Sequence, residues 1–272
     1  MGAKKSLGQN FLVDESVIAR IVREVAPRGD ETVIEIGAGR GALTARLAEQ
    51  SGHLVAIEFD RDLVPLLQEK FGGRENFTLL EADALGVDFC TTIAPAREAR
   101  VVANLPYNIS TAILQRLFEQ RRCLTEMILM LQREVVERIT AAPGTGERGY
   151  LSVLTEAYCE ARPLFEVRPE AFRPVPKVWS TVVRLRVRES VAAEVSDEAL
   201  LWRVVGAGFA QRRKTIFNNL RHSPPALLPR VEAAGGANAL LEAAGVEPQR
   251  RAETLTLAEW VALARTLESY PG

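Results

Sequence analysis

Hydrophobic positions along this chain of 272 residues switch between helical and strand spacing. Residues 14–26 predict a first helix with Asp14 as its N-cap and with an apolar stripe formed by Ile18, Ile21, Val22 and Val25. Short apolar runs then alternate with amphipathic stretches up to about residue 140. The predicted strands cover residues 32–36, 54–57, 77–80, 101–103 and 126–131. This alternation predicts an α/β, Rossmann-like sheet with helices on both faces.

Beyond residue 131 the pattern contains one further strand, and after about residue 190 it contains only helices. Residues 181–187 alternate with period two, which predicts a strand with one wet face. A Pro- and Gly-rich cluster at 141–146 predicts an exposed loop. Helices are predicted at 132–140, 150–158, 198–209, 238–244 and 257–267. We therefore expect an α/β domain of residues 1–189 and a small α-helical domain of residues 190–272.

A glycine turn follows the strand at 32–36 and reads Gly37-Ala38-Gly39-Arg40-Gly41. Strand, glycine turn and helix form the opening unit of a nucleotide-binding sheet, because glycines let the backbone approach a ligand closely. Glu58 ends the next strand and is placed to accept hydrogen bonds from both hydroxyls of a ribose. These features, including the spacing Gly37-x-Gly39-x-x-Ala42, are shared by NAD and S-adenosylmethionine sites.

Two further positions favour S-adenosylmethionine over NAD. Asp83 follows the third strand and can accept a hydrogen bond from an adenine amino group. Asn104-Leu105-Pro106-Tyr107 suits methylation of an exocyclic amino group on a base. The Asn104 amide and the Leu105 carbonyl would accept from the amine, Pro106 would stiffen the turn, and Tyr107 would supply a flat face. An ordinary Asn-x-Pro turn is the alternative, and an NAD-dependent oxidoreductase gains nothing from either feature.

Composition and residue usage narrow the classes of protein. The chain is 47% hydrophobic, has no run of 18 apolar residues and begins without an apolar signal core, which predicts a soluble, cytoplasmic protein. Cys90, Cys123 and Cys159 are far apart in sequence, which argues against a disulfide framework or a zinc knuckle. Only two histidines are present, so we expect neither histidine-centred catalysis nor a metal site.

Charge is distributed unevenly although the net charge is only −1. Residues 30–100 carry 13 acidic and 7 basic residues, whereas residues 160–222 carry 12 basic and 7 acidic residues. Arg212, Arg213 and Lys214 form a basic triplet in the second segment. This triplet predicts contact with a phosphate backbone, and a solvated helix face is the alternative.

A proline-braced loop at 171–180 precedes the last strand. Its Phe172 could stack on a flipped base, on the face opposite Tyr107, and a buried loop anchor is the alternative. Lys177 in the same loop is a candidate RNA contact.

Taken in order, these motifs resemble the ribosomal RNA adenine dimethyltransferases over nearly the whole length. The resemblance includes two further segments, Gly8-Gln9-Asn10-Phe11-Leu12 and Asn108-Ile109-Ser110. It is strongest to the branch that modifies two adjacent adenines near the 3′ end of small-subunit ribosomal RNA. The cofactor residues that it implies, together with those read from the motifs above, are Gln9, Asn10, Leu12, Glu35, Gly37, Gly39, Glu58, Asp83, Ala84 and Asn104. It assigns the target adenine to Asn104, Tyr107 and Phe172.

The resemblance also implies a monomeric enzyme that acts on small-subunit ribosomal RNA or on the immature small subunit, without membrane or metal. One departure is Arg148-Gly149-Tyr150 before Leu151-Ser152-Val153, where the family usually has Tyr-Gly. Two alternatives stay open: the sister branch that methylates a large-subunit adenine, and an assembly factor with a dead active site. The second should have lost Glu58, Asp83 or Asn104, and all three are present.

Overall fold

The structure is a computed structural model that describes Lys4 and residues 7–189 and 195–270. Its strands are β1 (Phe11–Leu12), β2 (Thr32–Ile36), β3 (His53–Glu58), β4 (Phe77–Glu81), β5 (Ala99–Asn104), β6 (Leu124–Gln132), β7 (Cys159–Val167), β8 (Phe172–Arg173) and β9 (Ser180–Val187). Its helices are α1 (Glu15–Val25), α2 (Thr44–Gln50), α3 (Val64–Phe71), α4 (Phe89–Thr92), α5 (Ser110–Glu119), α6 (Arg133–Ile139), α7 (Tyr150–Tyr158), α8 (Glu198–Gly208), α9 (Ile216–Arg221), α10 (Leu228–Ala233), α11 (Gly236–Ala243) and α12 (Leu257–Glu268).

The chain divides into two compact units, and the first contains the sheet. It comprises Met1–Val136 and Glu160–Val187, and the second comprises Glu137–Cys159 and Arg188–Gly272. Residues 190–194, where the second predicted domain begins, lie outside the described residues. The division of function between residues 1–189 and 190–272 stays a prediction.

The main sheet has the order β4-β3-β2-β5-β6-β9-β7 among the described residues. The first five strands in this order are parallel, and β9 runs antiparallel to β6. The predicted α/β class is therefore confirmed. Strand order reverses between β2 and β5, and ligands of such sheets bind at this switch point, beyond the carboxyl ends of the strands.

Helix α1 forms as its pattern predicts. The Asp14 side chain accepts from the backbone N–H groups of Ser16 and Val17, which otherwise have no intrahelical partner. All four residues of the apolar stripe are buried in the core of the first unit. In the second unit, α8, α11 and α12 match predicted helices within two residues.

Strand β7 has no counterpart among the predicted elements. Its sequence carries Pro163 and charged residues, and most of its positions are partly or fully exposed. It lies at one end of the strand order, where a proline is tolerated because no ladder partner is needed on the outer side.

The wet face predicted for β9 is wrong for the first half of the strand. The residues from Ser180 to Val183 are buried on both faces because β9 lies inside the sheet, between β6 and β7. Arg184 is mostly covered, where it pairs with Glu24 and Glu126. The first clearly exposed position is Arg186.

The cysteine expectation is also wrong in part. Cys90 and Cys123 form a disulfide, although 33 residues separate them in sequence. The fold brings α4 next to the turn after α5, so that the two Cα atoms are 5.4 Å apart. Cys159 is free and buried. No described helix is long and apolar enough to cross a membrane.

Candidate functional site

A cavity of about 260 Å³ lies in the first unit, at the carboxyl ends of the parallel strands. One wall is the N-terminal arm (Lys4 and residues 7–12), of which residues 7–11 line the cavity. The other walls are the turns that follow four neighbouring strands. With the last residues of these strands, they contribute Ile36, Gly37 and Gly39 at the end of β2; Ile57, Glu58 and Phe59 at the end of β3; Ala82, Asp83, Ala84 and Leu85 after β4; and Asn104, Leu105, Pro106 and Tyr107 at the end of β5.

The glycine turn brings backbone to the cavity. Gly37 and Gly39 have φ angles of 75° and 62°, in the left-handed region that side chains rarely adopt. The Gly39 N–H donates to Glu58 Oε2 at 2.7 Å, so the turn after β2 is tied to the end of β3. A Cβ on Gly39 would lie 3.4 Å from the Phe11 ring of the arm. The glycines therefore allow turn and arm to approach each other beside the cavity.

Glu58 is a buried carboxylate at the end of β3. Its Oε1 accepts from the Asp60 N–H at 2.8 Å, and burial raises its pKa above the ordinary value despite these backbone hydrogen bonds. A carboxylate has about four acceptor positions, and the backbone N–H groups of Gly39, Asp60 and Phe59 do not use all of them. Glu58 can therefore still accept a hydrogen bond from a ligand in the cavity.

The N-terminal arm is held by Asp60. Lys4 Nζ lies 2.5 Å from Asp60 Oδ1, and Gln9 Nε2 donates to Asp60 Oδ2 at 2.7 Å. Lys4 also pairs with Asp62, and its backbone N–H donates to the Gln9 side chain. Burial would raise the pKa of Asp60, but hydrogen bonds from Lys4 and Gln9 hold it below its usual value. Gln9 thus attaches the arm to Asp60, the residue that follows the cavity-lining Phe59.

Glu35 lies behind the glycine turn and does not line the cavity. It is almost wholly buried, and its Oε2 has no hydrogen-bond partner among the described residues. Burial raises its pKa to about 8, hydrogen bonding to Thr44 opposes the rise, and the charge of Glu58 adds to it. A buried carboxyl oxygen without a hydrogen-bond partner is favourable for a bound ligand that offers a cation or a hydrogen-bond donor.

The raised pKa of Glu35 makes stability depend on pH. The unfolded chain releases this proton near pH 4.5 and the folded chain near pH 8, so Glu35 lowers stability as the pH rises between these values. We expect Glu35→Gln to melt higher relative to the parent at about pH 9 than at about pH 5. Thermal melts of the ligand-free proteins test this. Glu81→Gln, at an exposed position, is the control. A parent–variant difference that does not change with pH would contradict the assignment.

Asn104 and Tyr107 face the cavity at the end of β5. Asn104 Nδ2 donates to the Asn10 carbonyl oxygen at 3.1 Å, which fixes the amide against the arm. Its Oδ1 has no hydrogen bond in the described part of the chain and remains an acceptor. The Tyr107 hydroxyl is 2.7 Å from Ser180 Oγ, and burial raises the Tyr107 pKa, so the ring stays neutral. This end of the cavity combines a neutral acceptor with a flat aromatic ring.

The remaining predicted site residues lie partly outside the cavity. Leu12 and Phe172 pair across β1 and β8, and both belong to the core of the first unit. Phe172 has no exposed surface, which favours the buried-anchor alternative over stacking on a base. Asp83 lines the cavity and accepts from the Leu85 N–H at 3.0 Å, while Ala84 is a buried lining residue.

Phe59 and Asp60 are site residues that the sequence reasoning missed. Phe59 lines the cavity with 57% of its surface exposed, next to Glu58. An exposed aromatic residue directly after a buried strand is a signal that could have indicated a flat ligand group. Asp60 carried no such signal, because its partner Lys4 is 56 residues away.

The basic triplet occupies a turn of the second unit, between α8 and α9, so the helix-face alternative does not apply. Arg212, Arg213 and Lys214 are all exposed, and Arg212 donates to the Gly146 carbonyl oxygen. The Asn219 side chain holds the turn by bonding to the backbone of Gln211 and Gly208. Lys177 is exposed in the first unit. No described group of three or more His, Cys, Asp or Glu residues is arranged to hold a metal ion.

Solved structures of known proteins share this fold. A dimethyladenosine transferase from Plasmodium falciparum has a TM-score of 0.78 at 21% identity, over 93% of this chain and 95% of that one. The 23S rRNA methyltransferase ErmE has a TM-score of 0.69 at 29% identity, over 96% of this chain and 100% of that one.

Sequence relatives are more similar still. The Ribosomal RNA small subunit methyltransferase A of Hahella chejuensis is 43% identical over 99% of this chain and 94% of its own length. The protein of the same name from Pseudomonas aeruginosa is 44% identical over 99% of this chain and 96% of its own length. A family model described as ribosomal RNA adenine dimethylase matches residues 2–263. The resemblance carried by the motifs is thus confirmed, and the chain belongs to the ribosomal RNA adenine dimethylase family.

Proposed function

We propose that this protein uses S-adenosylmethionine to dimethylate the N6 amino groups of two adjacent adenosines near the 3′ end of small-subunit ribosomal RNA. The observation that carries the proposal is one cavity with two kinds of wall. Glu58 and the glycine turn suit a nucleoside cofactor, and Asn104 with Tyr107 suits a neutral amine on a flat ring. An oxidoreductase has no use for the second wall.

The choice of ribosomal subunit rests on the relatives. Those at 43–44% identity are named for the small subunit, whereas the large-subunit enzyme is 29% identical. The intact Glu58, Asp83 and Asn104 argue against a non-catalytic assembly factor. We further propose that the enzyme acts as a monomer in the cytoplasm, on the immature small subunit.

The residues of the cavity fit S-adenosylmethionine. Glu58 would accept from the ribose hydroxyls, Asp83 from the adenine amino group, and Phe59 would cover the adenine ring. Gly37, Gly39 and the arm residues Gln9 and Asn10 would enclose the remainder, with Glu35 behind them. The bound sulfonium supplies a reactive methyl group.

The chain's own residues orient the amine. The target base leaves its stack and lies against Tyr107, while Asn104 Oδ1 and the Leu105 carbonyl accept from its two N–H bonds. These acceptors would aim the nitrogen lone pair at the methyl group that the bound cofactor would supply. The amine becomes acidic only after the transfer, so a neutral acceptor suffices and the proton passes to water. Tyr107 stays neutral because burial raises its pKa.

Radiolabelled methyl transfer tests the proposal. Unmethylated small subunits, large subunits and free RNA are each incubated with the enzyme, and the modified base is then mapped. We expect two adjacent dimethyladenosines in the small subunit. Label in the large subunit alone would favour the sister branch, and no transfer to any substrate would contradict an enzymatic role.

The basic triplet gives a separate prediction. Replacing Arg212, Arg213 and Lys214 by alanine should weaken binding to small subunits and flatten its salt dependence, by up to roughly 0.7–0.9 log units per lost phosphate contact. Filter binding at several salt concentrations measures both effects, and S-adenosylmethionine affinity should not change. The charge-retaining variant Arg212→Lys/Arg213→Lys is the control. If the alanine variant keeps the parent's affinity and salt slope, the triplet only solvates the turn.

A further inference from the structure

Four exposed hydrophobic residues gather in one region of the first unit. Val175, Val178 and Trp179 are 52%, 39% and 36% exposed and lie within five residues of one another. Val13, 44% exposed, follows β1, and its backbone N–H donates to the Ala171 carbonyl oxygen at 2.9 Å beside the same loop. Phe59 is the other large hydrophobic residue with such exposure in the described chain, and it lines the cavity. Apolar residues that cluster on a surface mark an interaction site.

Cations accompany this apolar surface. The Arg168 guanidinium lies over the Trp179 ring, with its Cζ 6.0 Å from the ring centroid. Arg173 and Lys177 are exposed, and no acidic residue occurs from position 171 to 180. Glu170 precedes this segment, but the Arg173 guanidinium donates to the Glu170 backbone carbonyl oxygen and not to its carboxylate. An aromatic ring among uncompensated cations suits a nucleobase and its phosphates better than an apolar protein face.

Trp179 is also close to the end of the cavity where the amine would bind. It directly precedes Ser180, whose Oγ is 2.7 Å from the Tyr107 hydroxyl. The Trp179 carbonyl oxygen accepts from the Arg133 N–H at 3.0 Å, which fixes the backbone of Trp179. Adjacent Cα atoms are about 3.8 Å apart, so the Trp179 backbone lies directly beside the residue that contacts Tyr107.

We propose that Trp179 stacks on an unpaired base that flanks the target adenine, while Arg168, Arg173 and Lys177 hold the adjoining phosphates. The inference rests on the proposed function, since it requires an RNA substrate at Tyr107. A flipped adenine leaves its neighbours partly unstacked, and Trp179 replaces the lost stacking. Loss of one such base–aromatic contact weakens binding by about fivefold to a hundredfold.

Tryptophan fluorescence tests the stacking directly. The chain has three tryptophans; Trp260 is fully buried, and Trp202 bonds to the Tyr158 hydroxyl. In a Trp202→Phe background, Trp179 is the main acrylamide-accessible emitter. We expect an unmethylated RNA hairpin that carries the two target adenines to quench this emission and to protect it from acrylamide. Trp179→Phe should remove the signal.

Kinetics provide the second measurement. Trp179→Ala should raise KM for small subunits by about fivefold or more with little change in kcat, and Trp179→Phe should restore most of the loss. Val13→Ala is the non-aromatic control and should have a smaller effect. S-adenosylmethionine affinity should be the same in all variants, which shows that they fold.

Two outcomes would overturn the inference. Unchanged acrylamide access with RNA, together with a parental KM for Trp179→Ala, would exclude a base contact. Protection by whole subunits but not by the hairpin would mean that a ribosomal protein covers this surface. In either case normal methylation by the parent would leave the proposed function intact. A parent that methylates no adenine would reject the proposed function instead, whatever the fluorescence showed.

Discussion

Asn104→Ala should lower the rate of methyl transfer by about a hundredfold or more, while the fold and most S-adenosylmethionine affinity remain. Asn104 Oδ1 is the acceptor without a partner in the described chain, because Nδ2 is used by the Asn10 carbonyl oxygen. The variant therefore loses the group that aims the amine. Single-turnover transfer to unmethylated small subunits measures the loss without a contribution from product release.

Two controls separate this role from damage to the wall. Asn104 holds the arm through Asn10, so calorimetry with S-adenosylmethionine reports whether the arm still closes the cavity. Asn76→Ala, which removes a side chain bonded to the carbonyl oxygens of Ala48 and Ser51, tests a structural asparagine of the same unit. Its loss should affect stability more than rate. A rate for Asn104→Ala within about tenfold of the parent would reject the assignment.

Local patterns were sufficient for much of the fold. The strands at 32–36 and 54–57 are mostly apolar runs, and such runs are typical of parallel strands buried on both faces. Asp14 was recognisable as an N-cap because capping depends on neighbours two or three residues away. Strand β7 was not, since an edge position depends on the strand order and leaves no periodic signal.

The site was predictable where residues follow a strand end directly. Gly37, Glu58, Asp83 and Asn104 come together because carboxyl ends of parallel strands meet at one edge. Phe172 and Asp60 show the limit of this reasoning. Pairing of β1 with β8 buries Phe172, and Asp60 gains its role from Lys4 and Gln9, and both are long-range contacts without a sequence pattern.

Glu58→Ala should weaken S-adenosylmethionine binding by about 1.5–3 kcal/mol, the range for hydrogen bonds to a charged group. The carboxylate also accepts from Gly39 and Asp60, so its removal loosens the glycine turn and the anchor of the arm. Glu58→Gln keeps one acceptor oxygen but turns an amide donor toward a backbone N–H. It should therefore fall between the parent and the alanine variant. Calorimetry on the three proteins measures the differences.

Glu81→Ala is the matched control, because Glu81 occupies the position of β4 that pairs with Glu58 of β3. Glu81 does not line the cavity and forms an exposed ion pair with Arg61, so its loss should leave cofactor affinity unchanged. Equal loss of S-adenosylmethionine affinity in both variants would mean that cofactor binding depends on negative charge at this sheet edge and not on a ribose contact. Unchanged affinity in Glu58→Ala, or NAD binding by the parent as tight as S-adenosylmethionine binding, would reject the cofactor assignment. A larger loss of affinity in Glu58→Ala than in Glu81→Ala is expected because Glu58 faces the cavity and holds the glycine turn, whereas Glu81 ends the neighbouring strand and does neither.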